Sequence, residues 1–343
     1  MARTLKIAAA QMGAVHLTST RAETLARMIK LLHSANELGA QVVLFPETAF
    51  TTFFPRHLIE DREKLESYFE HDDNLPEGAN TKPLFDEAKK LGIDISVGFA
   101  ERTKEGQGYN TSVYYSAKQG QIIAKYRKVH LPGTKEPFEN PDAVNQLEKR
   151  YFEPGNLGFQ AFRVPDLVGG ALKKGAELKA GEGDPIMGMM ICNDRRWAEG
   201  WRCYGLQGVE VVLCGYNTAG WAPDLWGTRK PMTPEEAEID AVFHHKLSMQ
   251  GNSYMNSCFS VSAAKAGMED GKYDLIGGSC ITCPEGHVLA EARTKEDEIV
   301  FAEIDLEDCR QGKEKTFDFD RHRRIDQYGP ITVQTGVVEP ELL

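Results

Sequence analysis

Three short apolar runs in this chain end on residues equipped for chemistry. Val42-Val43-Leu44-Phe45-Pro46 ends at Glu47, Ile122-Ile123-Ala124-Lys125-Tyr126 leads through Arg127 to Lys128, and Ile186-Met187-Gly188-Met189-Met190-Ile191 ends at Cys192. Short apolar runs bounded by turn residues read as buried strands. In open α/β sheets the carboxyl ends of strands form the crevice where ligands sit. A thiolate there attacks a carbonyl-type carbon, and a nearby cation favours its charged form. A carboxylate takes the thiol proton and returns it to a leaving amine. A lysine, helped by the backbone N–H of Asn193, stabilises an oxyanion. Together these groups are equipment for breaking a C–N bond through a thioester-like intermediate. Arg195 and Arg196 follow the thiol, and the planar guanidinium fork suits a carboxylate.

Taken singly, each group has an ordinary explanation. A cysteine after an apolar run is a small buried hydrophobe, a Pro-Glu pair is a turn, and a lysine leaving a strand is solvated. Cys280 and Cys283 have a redox or zinc spacing but no second pair, so they read as structural. His244-His245 on a helical pattern, without a zinc-binding frame, reads as packing.

The elements that must position these residues alternate in type. Leu5–Met12 reads as a strand, Thr20–Leu38 as a helix closed by Gly39, and Val42–Pro46 as a strand. Arg56–Glu70 and Thr81–Leu91 read as helices. Ile93–Phe99, Asn110–Tyr115 and Ile122–Tyr126 read as strands, the last two joined by a turn at Ala117–Gly120. A helix is expected from Asp194 or Arg195 to about Gln207, a strand over Val209–Gly215 and a long helix over Pro234–Met255. Four further strands are expected between Phe259 and Ile304. Strands mixed with helices throughout predict a single α/β domain over 1–316 with a mixed sheet. Surface insertions fall near 166–184 and 221–239, and 317–343 reads as a tail that packs in an oligomer.

The chain has 343 residues, 41% of them hydrophobic, and a net charge of −11. That length is enough for a large core. The acidic balance argues against nucleic acid or an anionic membrane as partner. No apolar run reaches membrane-spanning length, the N-terminus has no leader-like apolar core, and seven cysteines are scattered through apolar segments. These features lead us to expect a cytoplasmic protein with reduced thiols.

Phe45-Pro46-Glu47, Tyr126-Arg127-Lys128-Val129-His130-Leu131-Pro132-Gly133 and Ile191-Cys192-Asn193-Asp194-Arg195-Arg196-Trp197 resemble the three signature segments of the nitrilase superfamily. Within it they are most similar to the N-carbamoyl-D-amino acid amidohydrolase branch. Thr51–Arg56, Leu147–Gly155, Gly215–Thr218, Phe243–His245 and Leu247–Gln250 match as well. The resemblance implies a four-layer α-β-β-α sandwich, assembled as a homodimer or homotetramer. It implies Glu47 as general base and acid, Lys128 as oxyanion stabiliser, Cys192 as nucleophile and Glu148 as the additional glutamate that orients the lysine. It implies Arg195, Arg196, Asn217 and Thr218 as holders of a substrate carboxylate. No metal or organic cofactor is implied. The substrate would be a small carboxylated ureido compound, cleaved to amino acid, ammonia and carbon dioxide. A β-ureidopropionase or another amidase of the superfamily is the nearest alternative, and a non-catalytic scaffold is the alternative of a different class.

The chain departs from the branch pattern where Gln146 replaces a histidine that would help bind the carboxylate; glutamine keeps a donor but carries no charge. It departs again in the two insertions, the second of which brings Trp221, Trp226 and Arg229 to the expected pocket mouth.

Overall fold

β1 (Thr4–Gly13) is the strand on which two sheets meet. The structure, a computed structural model, describes residues 3–168, 182–227 and 232–342, with the backbone alone at 72–74. After β1 come α1 (Arg21–Glu37), β2 (Val42–Leu44), α2 (Arg62–Glu66), β3 (Phe69–His71), α3 (Lys82–Leu91), β4 (Asp94–Arg102), β5 (Gly108–Ser116) and β6 (Gln121–Arg127). Then follow α4 (Glu148–Tyr151), β7 (Phe162–Arg163), β8 (Ile186–Ile191), α5 (Ala198–Leu206), β9 (Val211–Tyr216), α6 (Pro223–Trp226) and α7 (Pro234–Asn256). The last strands are β10 (Phe259–Glu269), β11 (Tyr273–Ile276), β12 (Cys280–Thr282), β13 (Val288–Glu291) and β14 (Glu298–Asp305).

One sheet runs β6-β5-β4-β2-β1-β14, with β3 also on β4, and the other runs β7-β8-β9-β10-β12-β13. The far end of β1 pairs in parallel with β10, Met12 against Lys265 and Gly13 against Ala266, and joins the two. Strand side chains alternate between faces, and both faces are covered here. Ile7, Ala9, Val42 and Leu44 of the first sheet meet Met189, Ile191, Val211 and Leu213 of the second in the central core. Ala8, Ala10, Val43 and Ile95 turn outward, under Met28 and Leu32 of α1 and Phe85 of α3. On the opposite side Met190, Val212 and Cys214 lie under Trp201 and Tyr204 of α5 and Met249 of α7. The result is the four-layer α-β-β-α sandwich. Burial on both faces explains why these strands read as unbroken apolar runs.

The long helices form where expected, each started by local chemistry. Thr20 and Glu23 form a reciprocal capping box on α1, and Thr233 with Glu236 does the same on α7, where Pro234 occupies the first turn. The expected helix over 56–70 is corrected. Only Arg62–Glu66 is α-helical, and Phe69–His71 is a strand paired with β4. The cause is tertiary: Phe54 packs against the rings of Tyr68, Phe69, Tyr151 and Phe152, and that cluster overrides the segment's local helix propensity. The expected helix from Asp194 also differs. Residues Cys192–Arg196 form a 3-10 turn, and α5 starts at Ala198. β3, β7 and β11 were not expected. Within the insertion near 166–184, positions 169–181 lie outside the described residues, as does Arg229 in the second insertion. Among the described residues no helix is long and apolar enough to cross a membrane. From Phe317 onward the chain is mostly exposed, in short helical turns.

Candidate active site

Glu47 stands three residues beyond β2, in a loop between the sheets. The loop fits because its neighbours lack side chains. A Cβ on Gly98 would come within 2.7 Å of the Pro46 carbonyl oxygen, and one on Gly215 within 2.9 Å of the Glu47 nitrogen. The buried Lys265 of β10 donates to the carbonyls of Thr48, at 3.0 Å, and Thr51, and so ties down the far side of the same loop.

Lys128 follows β6 directly and is buried with its charge. Its Nζ donates to Glu47 Oε1 at 2.8 Å and to both oxygens of Glu148, at 2.8 and 2.7 Å. Glu148 opens the single-turn α4. Asn110 of β5 donates to Glu47 Oε1 at 2.7 Å, and Gln146 Nε2 donates to Glu148 Oε1 at 2.6 Å. Burial pulls the ammonium down, but Cys192, Glu148 and Glu47 outweigh it and raise Lys128 above its ordinary value. Glu148 is pushed up to about 7 by burial, and further by Glu47, against the pull of Lys128. Glu47 Oε2 is buried with no hydrogen-bond partner among the described residues. That oxygen is open to a proton.

Cys192 begins the 3-10 turn after β8 with φ at +49°, in the left-handed region. Such a backbone costs about 1–3 kcal/mol for a residue with a side chain, and persists where the surroundings fix it. Here they do. Arg195 Nη1 donates to the Cys192 carbonyl at 2.7 Å and lies 3.8 Å from the sulfur, while Sγ donates to the Asn217 carbonyl at 3.5 Å. Burial, then Glu47, raises the thiol, while Lys128 and Arg195 lower it. The resting sulfur therefore holds its proton and has a base to give it to.

Asp194 joins the cysteine turn to the lysine loop. It accepts from Tyr126 Oη at 2.7 Å, His130 N at 2.9 Å and Ile191 N at 3.3 Å, and His130 Nδ1 lies 2.8 Å away. Asn193 adds a side-chain bond to the His130 carbonyl at 3.2 Å. The His130 ring stacks on Trp197 at 4.8 Å.

The two arginines separate. Arg195 is fully buried behind the thiol, its guanidinium 4.5 Å from the Tyr216 ring and Nη2 donating to Thr218 Oγ1 at 3.3 Å. It borders neither cavity described below. Arg196 faces outward, 4.7 Å over the ring of Trp226. An outer basin of about 610 Å³, walled by Trp197, Trp221 and Trp226, meets an inner recess of about 10 Å³ at Cys192. Arg196, Asn193 and Thr218 border both spaces, and Asn217 and Gln146 border the recess. A recess of that size holds little more than a water-sized group. Gln146, expected to meet substrate, has its amide donor engaged by Glu148.

The structure thus brings Glu47, Lys128, Glu148 and Cys192 together, with Asn193, Arg196, Asn217 and Thr218 around the opening. Asn110 and Asp194 escaped the sequence reading. Both are polar residues in or beside apolar strands, but Glu47 and Tyr126, the side chains they bind, are 63 and 68 residues away and no local pattern signals them.

Residues 6–314 match the carbon-nitrogen hydrolase family. The chain is 31% identical over 277 residues to a nitrilase of Pyrococcus abyssi, covering 81% of each chain. It is 26% identical over 341 residues to an N-carbamoylputrescine amidase of Solanum lycopersicum, covering 97% of each. In fold it is similar to a carbon-nitrogen hydrolase from Helicobacter pylori, with a TM-score of 0.73 at 20% identity, covering 96% of this chain and 98% of that one. A match across this span, which includes every residue of the buried cluster, shows that the chain belongs to the carbon-nitrogen hydrolase family.

Proposed function

We propose that the chain is a cysteine-dependent amidohydrolase that cleaves N-carbamoyl amino acids, those of D configuration foremost. The observation that carries this reading is the buried Lys128 bridging Glu47 and Glu148 beside the thiol, at the base of an opening bordered by Arg196. Glu47 takes the thiol proton, and the thiolate attacks the carbamoyl carbon. Lys128 and the Asn193 backbone N–H receive the oxyanion. One nitrogen leaves with the proton from Glu47: departure of the amino acid leaves S–CO–NH2 on the sulfur, and departure of ammonia leaves the amino acid attached as S–CO–NHR. Glu47 then deprotonates water for the second attack, and the thiol regains a proton. The overall balance is one ureido acid and one water to amino acid, ammonia and carbon dioxide.

Arg196 is the cation suited to the substrate carboxylate, since it borders the opening and makes no ion pair among the described residues. Arg195 serves instead to hold the cysteine turn. A relative named as an N-carbamoylputrescine amidase supports the carbamoyl group as the part that reaches the thiol, while the arginine favours an acid over an amine at the other end.

The test is ammonia release from D, L and β isomers of N-carbamoyl amino acids, N-carbamoylputrescine and a simple aliphatic amide. N-carbamoyl-D-amino acids are expected to give the highest kcat/KM. Preference for N-carbamoyl-β-alanine would make the chain a β-ureidopropionase, and preference for the amine would reject Arg196 as the selecting group. No release from any compound, with Cys192 inert to alkylation, would leave a scaffold.

A further inference from the structure

Arg56 ends a 3-10 turn (Phe54–Arg56) on the wall of the recess and is buried. Its guanidinium is held on all sides. Nη1 donates to Glu269 Oε1 at 2.8 Å and Nη2 donates to Asn217 Oδ1 at 2.7 Å. The rings of Phe53 and Tyr273 lie 4.8 and 5.5 Å from its central carbon. Glu269, at the end of β10, is wholly buried.

A buried ion pair is a poor source of stability, because desolvating two charges offsets most of their attraction. An apolar pair would fill the same space. What the apolar pair lacks is the ability to orient Asn217. A carboxamide has an acceptor end and a donor end of nearly equal shape. Turning Asn217 over would aim its NH2 at a guanidinium N–H, donor against donor. Arg56 therefore keeps Oδ1 on itself and leaves Nδ2 on the other side. Asn217 Nδ2 is buried with no hydrogen-bond partner among the described residues, and Asn217 borders the recess, its backbone carbonyl accepting from the thiol.

We infer that Arg56, held by Glu269, is a positioning residue that locks the Asn217 amide with its donor toward the recess. The lock selects a substrate that presents a carbonyl or carboxylate oxygen there and rejects one that presents an ammonium. This rests on the reading of the chain as a hydrolase of N-carbamoyl amino acids.

The Arg56→Met/Glu269→Met double variant removes both charges at once and avoids an unpaired buried ion. With the best N-carbamoyl amino acid, its KM should rise about tenfold or more, the size of a lost hydrogen bond to a charged group, with kcat within about threefold. Iodoacetamide labelling of Cys192, followed on its own peptide by mass spectrometry, should stay within about twofold if the thiol is undisturbed. An unchanged KM would overturn the inference, and so would a joint fall of kcat and labelling, which marks a merely structural role. If the double variant does not fold, Asn217→Asp decides: it keeps an oxygen for Arg56 and puts an acceptor where the donor was. Its KM should rise by the same factor, and a wild-type KM would overturn the lock. If the wild type cleaves no carbamoyl compound, the functional reading fails by itself. The lock is then read from the ratio of iodoacetate to iodoacetamide labelling, which should drop about tenfold in Asn217→Asp; an unchanged ratio would overturn it.

Discussion

Lys128 holds two carboxylates apart from each other's charge. Without it, Glu47 and Glu148 would share a closed site as like charges, and one would take up a proton. Lys128→Met should therefore lower kcat by about 10²–10³, the usual loss for an oxyanion donor. The protein should also lose stability, by about 3–5 kcal/mol, as is common when one partner of a buried pair is removed. Glu148 supplies a pH test. With its carboxyl pushed up to about 7, it is protonated on the acid side of that value and then releases Lys128. kcat/KM should fall as pH drops below about 7, and Glu148→Gln should lower kcat while flattening that limb. A limb unchanged in the variant would assign it to another group. Glu47, Lys128 and Cys192 were picked out because each follows its own apolar run, a local signal, but the roles expected of them came from the resemblance of the three segments to the nitrilase superfamily. Arg56, Asn110 and Asp194 were not, because their meaning lies in partners that only the closed sandwich brings near.

Elements position the site by their ends. β2, β6 and β8 each stop just before a chemical group, and the turns that follow are tied to each other by Asp194. Asp194→Asn would set an NH2 against donors from Tyr126, His130 and Ile191. We expect a loss of about 1–3 kcal/mol in a denaturant titration, the penalty of an unmatched buried polar group. Activity should fall with it, because the His130 loop carries Lys128 and the Asp194 turn carries Cys192. Retained activity with the lower stability would show that each turn is set by its own strand alone. The longer strands were read from apolar runs, while β3, β7 and β11, of two to four residues, were not; α1 was read from its apolar spacing and the closing Gly39. The segment 56–70 was misread because helical spacing in the sequence competes there with an aromatic cluster and a strand pairing, both nonlocal.

At the scale of the molecule, the outer side of α7 carries Ile239, Phe243 and Leu247, each more than half exposed, at 65%, 57% and 53%. An apolar stripe of this kind on a helix marks a contact surface. The chain is expected to sediment as a dimer or larger, and Phe243→Glu should shift it toward the 38.2 kDa monomer. A wild-type monomer in sedimentation would reject the expectation. This surface was not legible in the sequence, since the stripe appears only when the helix is seen to bury its other side.

The seam where Met12 and Gly13 of β1 meet Lys265 and Ala266 of β10 bears on how the protein comes apart. Glu47 and Lys128 follow strands of one sheet and Cys192 and Asn217 follow strands of the other, so the proton path crosses from one sheet's end to the other's. Proteins open in cooperative units, and the backbone hydrogen bonds of this seam are expected to place the two sheets in one such unit. Amides along that seam should exchange with deuterium only through global opening, at the same free energy as the loss of the assembled site. Faster exchange at the seam than at the core strands would show that the sheets part locally and expose the thiol without its base.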